Sequence, residues 1–382
     1  MAVEDAPFHG LLSPFTPPAV SRLEALLLGA GARVDRFVFE RFIGKTSFTR
    51  PEDLPALRAR LERARAFYAE PAFLRDPDAY FAPPRPLRTT ERRLRALDGG
   101  VLLDLRYEAD FVPVFPEALG TSPWPATSRP GRARWWRHRS PGHPAMICIH
   151  GYAGGTPWLE ALAFDADRFY RAGVDVVLYV LPYHAARRVA GARHSGEGFF
   201  GLDLVTTNEA FAQAIYELRA LMRHLRERGT GPVGAFGMSL GGYTTALLAS
   251  VEPTLAFAVP MIPFVSLSDL MWSGGERDPR VAEAVEAGWT LAALRDFFRV
   301  HAPLARPPLV PRDRRLIIAA LGDRICPPEH ADALWRHWDR PRIHWYPGGH
   351  LAQFRRGLAL RAVRTLLRDA RLLGERAHGR QG

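Results

Sequence analysis

The run Gly237-Met238-Ser239-Leu240-Gly241 places a serine between two glycines at the point where an apolar strand must turn into a helix. Such a turn is so tight that the serine sits in strained backbone, and the flanking glycines must be small for strand and helix to close on each other. Pro232 to Phe236 before it reads as a short buried strand, and Leu240 to Val251, rich in Ala and Leu and followed by Pro253, reads as a helix. The expected result is a nucleophile elbow, with the Ser239 hydroxyl projecting alone above a sheet edge. The same letters could also spell an idle turn. A catalytic serine would require an acid and a histidine farther along the chain, each on a loop just after a strand.

Two further strand-like runs each end in a loop carrying the residue type a serine nucleophile needs. Arg315 to Ala320 runs into Leu321-Gly322-Asp323, and Arg342 to Tyr346 runs into Pro347-Gly348-Gly349-His350, with a helix-like segment from Leu358 to Leu373 beyond. A serine hydroxyl is a poor nucleophile at neutral pH, so an imidazole must take its proton during attack and return it to the leaving group. His350 is the expected base. The Asp323 carboxylate would fix its tautomer and stabilise the imidazolium that forms. Asp269, after the apolar stretch Leu255 to Val265, is the rival acid.

Taken with this order of Ser, Asp and His, the sequence resembles the α/β-hydrolase superfamily over roughly residues 100 to 375. The resemblance implies a mostly parallel twisted sheet flanked by helices, an α/β fold. It also implies a backbone oxyanion hole made by the residue after the nucleophile and by a loop after an earlier strand. Leu240 is the first donor. The strand-like Ala145 to Ile149 runs into His150-Gly151-Tyr152-Ala153-Gly154-Gly155, which resembles the His-Gly oxyanion loop and puts the second donor at Tyr152, with Ala153 the less favoured choice and His150 a loop brace. Three segments together are similar to one subgroup, the α/β-hydrolase-domain family eighteen: Pro51-Glu52-Asp53-Leu54, Pro182-Tyr183-His184-Ala185-Ala186-Arg187-Arg188, and the elbow itself.

At 382 residues, with 47% hydrophobic and 24% charged, the chain has the composition of an ordinary globule with a large core. We expect a mainly helical N-terminal extension over 1–98, a catalytic domain over 99–376 with a short lid around 265–305, and a tail over 377–382. Helices are expected at Ser21 to Leu28, Asp35 to Ile43 and Pro51 to Tyr68, with Phe37, Phe39, Phe42, Leu57, Leu61 and Phe67 burying one face. Val101 to Tyr107 and Arg132 to Arg137 read as the first two strands, and Val112 to Gly131 as the long loop between them.

The formal charge of +11 rests almost wholly on arginine, Lys45 being the only lysine. The arginines are scattered or alternate with Leu and Val near the C-terminus, so they read as solvated helix faces and no nucleic-acid partner is expected. No signal peptide, membrane-length run or zinc-type spacing appears, and Cys148 and Cys326 form no disulfide framework. The expectation is a cytoplasmic enzyme without metal or cofactor and without stable membrane insertion. Its oligomeric state is left open.

Loops at the carboxyl edge of a parallel sheet line the ligand crevice, which makes His184, Arg187, Arg188 and Phe199 candidates to face substrate. For Arg188 a loop-holding salt bridge competes with that role. Met271, Trp272 and Trp289 could roof an apolar acyl site or simply pack in the core. The function expected is hydrolysis of a small-molecule or lipid-like carboxylic ester through an acyl-enzyme. Acyl transfer, peptide or C–C hydrolysis, and a silent binding protein remain as alternatives.

Overall fold

A computed structural model describes residues 12–13, 15–38, 54–108, 110–118, 130–201, 203–272, 285 and 288–373. Among the described residues nine strands make one mixed sheet: β1 (Arg88–Leu97), β2 (Gly100–Glu108), β3 (Pro130–His138), β4 (Ala145–Ile149), β5 (Asp175–Tyr179), β6 (Val233–Met238), β7 (Ala258–Met261), β8 (Leu316–Ala320) and β9 (Arg342–Tyr346). Their order is β1-β2-β3-β5-β4-β6-β7-β8-β9. The β1/β2, β2/β3 and β3/β5 pairings are antiparallel and all others parallel.

The parallel strands are apolar on both faces because helices cover both. Ala145, Ile147 and Ile149 of β4 enter one core, while Met146 and Cys148 enter the other. Six helices suffice to place the site: α1 (Arg22–Val38), α2 (Leu54–Tyr68), α3 (Leu204–Glu227), α4 (Leu240–Val251), α5 (Leu291–Phe298) and α6 (Arg356–Asp369). α2, α3, α4 and α5 contribute to the first core and α6 to the second. Each fully buried Leu, Ile or Val contributes about 1.5–3 kcal/mol.

Three expectations need correcting. β1 lies inside the segment assigned to the extension, so the sheet begins at Arg88; the two-residue turn Asp98-Gly99, with Gly99 at φ 68°, joins it to β2. The first two predicted helices run together as α1, at least as far as Val38. Its Phe37 is 64% exposed instead of packed, because the face α1 buries carries Gly31 and Asp35. Leu61 is buried and Leu57 and Phe67 pack against the core as anticipated. Phe39, Phe42, Pro51-Glu52-Asp53, residues 119–129 of the expected Val112 to Gly131 loop, much of the lid segment and the tail lie outside the described residues.

Candidate active site

Ser239 follows β6 directly and has φ 56°, ψ −115°, a conformation in which a non-glycine residue is strained. Its N–H donates to Met261 O at 2.9 Å and its carbonyl accepts from Tyr243 N at 2.9 Å, so both neighbours of the turn are held. The two glycines are sterically required. A Cβ on Gly237 would collide with Gly241 O, and one on Gly241 would strike Ile149 O at the end of β4. Leu240 is the first residue of α4, where an N–H has no intrahelical acceptor and is free for an anion.

The loop after β4 closes over the same serine. A Cβ on Gly151 would lie 3.3 Å from Ser239 Cβ. His150 braces this loop with both ring nitrogens: Nδ1 donates to Gly151 O at 2.7 Å and Nε2 accepts from Leu181 N at 3.1 Å. Burial lowers its pKa to about 4, so it stays neutral in that tautomer. The next residue but one, Tyr152, is half-buried, and its ring packs edge-on against His184.

Asp323 and His350, on the loops after β8 and β9, meet with His350 Nδ1 donating to Asp323 Oδ2 at 2.7 Å. Asp323 Oδ1 accepts from Ile325 N at 2.9 Å and Cys326 N at 2.7 Å, so the carboxylate is anchored on both oxygens. Burial pushes the Asp323 carboxyl up, against the pull of His350. At His350 burial works downward, but the charge of Asp323 and the Cys326 thiol outweigh it and hold the imidazole well above its usual range.

Cys326 is the neighbour that sequence reasoning missed. Its Sγ lies 3.9 Å from Ser239 Oγ, and its thiol is one of the influences that raise the His350 pKa. Among the described residues no hydrogen bond joins Ser239 directly to His350. The Asp323-Arg324-Ile325-Cys326 spacing was the signal available, since two backbone bonds to Asp323 Oδ1 fold Cys326 back toward the imidazole.

The structure keeps Asp269 apart from this group. Its carboxylate grips Arg295, with Nε donating to Oδ2 at 3.1 Å, and also accepts from the Ser266 hydroxyl.

The expected substrate contacts of His184 and Arg187 are corrected. Neither has accessible surface. His184 Nδ1 donates to Pro182 O at 2.8 Å, and burial holds its pKa well below the usual value. Arg187 donates to Glu217 through Nη1 and Nη2, both at 2.7 Å, and to Val180 O at 2.8 Å. A guanidinium so paired in the interior holds the loop after β5 to α3. Arg188 is exposed, and Phe199 is wholly buried. Trp289 packs edge-on against Phe297 in the core, whereas Met271 and Trp272 are half-buried at its margin.

Among the described residues no group of three or more His, Cys, Asp or Glu could hold a metal ion. No helix among them is long and apolar enough to cross a membrane.

A family model described as alpha/beta hydrolase domain containing 18 matches residues 98–275, a span that includes Tyr152 and Ser239 and ends before Asp323 and His350. An uncharacterized protein of Mycobacterium tuberculosis is 31% identical over 315 residues, covering 80% of this chain and 74% of the relative. Acetyl xylan esterase 1 from Thermoanaerobacterium sp. matches with a TM-score of 0.52 at 17% identity, over 84% of this chain and 95% of the esterase. An acetyl xylan esterase from Paenibacillus sp. R4 gives 0.50 at 16% identity, over 84% and 96%. The likeness to these two esterases is one of fold.

Proposed function

Because the chain belongs to the α/β-hydrolase domain containing 18 family and has the α/β-hydrolase fold, we propose that it is a serine hydrolase that cleaves a carboxylic ester through an acyl-enzyme. The observation that carries this reading is the 2.7 Å bond from His350 Nδ1 to Asp323, two residues delivered to one place by separate loops, beside a serine in strained backbone. Ser239 Oγ attacks the ester carbonyl carbon as its proton passes to His350. The tetrahedral oxyanion is received by the N–H groups of Leu240 and Tyr152. His350 then gives the proton to the departing alkoxide, leaving an acyl group on Ser239. Water enters by the same route in reverse, its proton taken by His350 and returned to Ser239 as the acid leaves.

Attack needs the hydroxyl within about 2.6–3.2 Å of the imidazole, and hydrogen bonds of this kind commonly tighten only when substrate is bound. Reaction therefore requires Ser239 Oγ to leave the Cys326 thiol for His350, and a change of side-chain rotamer is the motion available to it.

The substrate is a small-molecule or lipid-like ester entering at the carboxyl edge of the parallel strands, and the enzyme acts in the cytoplasm without a cofactor. The test is a panel of p-nitrophenyl esters of graded chain length together with a fluorophosphonate probe, run on the wild type and on Ser239→Ala. Hydrolysis and labelling that vanish in the variant support the proposal. Labelling that persists in Ser239→Ala refutes it.

A further inference from the structure

Beneath the two loops that carry Asp323 and His350 lies a second buried carboxylate, supplied by the other end of the chain. Asp35, on α1, is fully buried. Its Oδ2 accepts from His350 N at 2.6 Å and Arg324 N at 3.2 Å, and its Oδ1 accepts from Leu351 N at 3.0 Å. Three backbone donors from both loops thus converge on one side chain. The loops are also joined to each other, Gly322 N donating to Gly348 O at 2.8 Å and Leu321 N to Tyr346 O at 3.1 Å.

The surface of α1 is shaped for this approach. Gly31, one helical turn before Asp35, sits so close that a Cβ there would collide with Gly349 N and the Gly348 carbonyl carbon. Leu28, a turn earlier again, covers Gly322, where an added Cβ would lie 2.9 Å from its Cδ2. Helix, glycine loops and carboxylate fit as one joint. A carboxylate accepting backbone N–H groups in the interior makes short, strong, directional bonds, and those bonds fix the peptides on which the Asp323 and His350 side chains ride.

We infer that Asp35 is a positioning residue for the hydrolase reaction: α1 clamps the acid loop to the histidine loop and sets the angle at which the His350 imidazole faces Ser239. The inference rests on the proposed Ser239, His350 and Asp323 assignment, but its test has a readout independent of activity. Asp35 touches neither substrate nor the reacting atoms. It acts only through the backbone of residues 324, 350 and 351. An asparagine cannot replace it, since its single carbonyl oxygen leaves an NH2 group facing N–H donors.

The experiment compares the full-length wild type with Asp35→Asn, Asp35→Ala and Gly31→Ala. The last keeps the carboxylate but pushes α1 off Gly348 and Gly349. Two quantities are read on folded protein, quantified by near-ultraviolet circular dichroism. One is kcat and KM for p-nitrophenyl acetate. The other is the downfield proton resonance of the His350 Nδ1–H, which reports the bond to Asp323. Misplacing a catalytic group by about an ångström costs on the order of 100-fold, and loss of an orienting partner about 10- to 100-fold. We therefore expect kcat to fall by about 10- to 100-fold in all three variants with KM changed less than about threefold, and the resonance to be lost or shifted. A wild-type kcat, or a resonance that stays in place while kcat falls, overturns the inference. Should Ser239→Ala retain hydrolysis, the functional reading fails instead, and the resonance still decides whether Asp35 orders His350.

Discussion

Arg187 and Glu217 form a bidentate ion pair with no solvent exposure on either side chain. Glu217 also accepts from the Tyr179 hydroxyl at 2.7 Å and from Gln213 Nε2 at 2.7 Å, so both of its carboxylate oxygens are shared between Arg187 and a second donor. Removing one partner leaves an uncompensated buried charge. We expect Arg187→Ala to lose about 3–5 kcal/mol of stability in urea unfolding. Arg188→Ala, at an exposed position, is expected to change it by less than about 0.5 kcal/mol. A stable Arg187→Ala protein with a raised KM would restore the substrate-contact role.

The two aspartates offer a direct comparison. Asp323→Asn, which disturbs the tautomer and charge held at His350, is expected to lower kcat by about four orders of magnitude. Asp269→Asn loosens the link to Arg295 and should weaken folding with little effect on kcat per folded molecule. Steady-state rates on p-nitrophenyl acetate, paired with melting curves, distinguish the two.

The elevated pKa of His350 sets a sign for pH dependence. The base must be neutral to accept the serine proton, so the acidic limb of kcat/KM should lie above the ordinary imidazole value of about 6.5. Cys326→Ala removes one of the raising influences and should move that limb to lower pH. The same shift bears on folding: the imidazolium's contribution to stability is fully present below about pH 6.5 and is lost as pH rises through the elevated folded value. A pH-rate profile whose limb stays put in Cys326→Ala would contradict this.

Backbone strain at Ser239 can be measured by substitution. Alanine keeps a Cβ at φ 56°, whereas glycine adopts that conformation freely. Relief of about 1–3 kcal/mol of strain exceeds the extra chain entropy of about 0.5–1 kcal/mol that glycine loses. Ser239→Gly should therefore melt at a higher temperature than Ser239→Ala, with both inert toward the fluorophosphonate. Equal melting temperatures would mean that the turn is unstrained.

Most parallel strands were legible as short apolar runs near Gly or Pro, β9 by its place between Pro341 and Pro347, and the elbow because its glycines are demanded by the close approach of β4, β6 and α4. β1 escaped because Arg88 to Leu97 spells an edge strand crowded with arginine and threonine, with little apolar content to mark a period. Its only clear signal was the Asp98-Gly99 turn. Arg187 was misread for a related reason. A cation in a loop after a strand suggests a ligand until the helix thirty residues later supplies Glu217 from the interior, and that helix looks like any amphipathic one until Glu209, Gln213 and Glu217 are seen to be buried. Asp35 left no trace at all, since its partners are main-chain N–H groups and main chain has no sequence signature.

The bond between Asp35 and His350 spans 315 positions along the chain. During synthesis at about 5–20 residues per second, α1 emerges many seconds before the loop it holds exists. The Asp35 carboxylate must therefore stay in water until residues 324, 350 and 351 have been made, and hydrolytic competence cannot precede them.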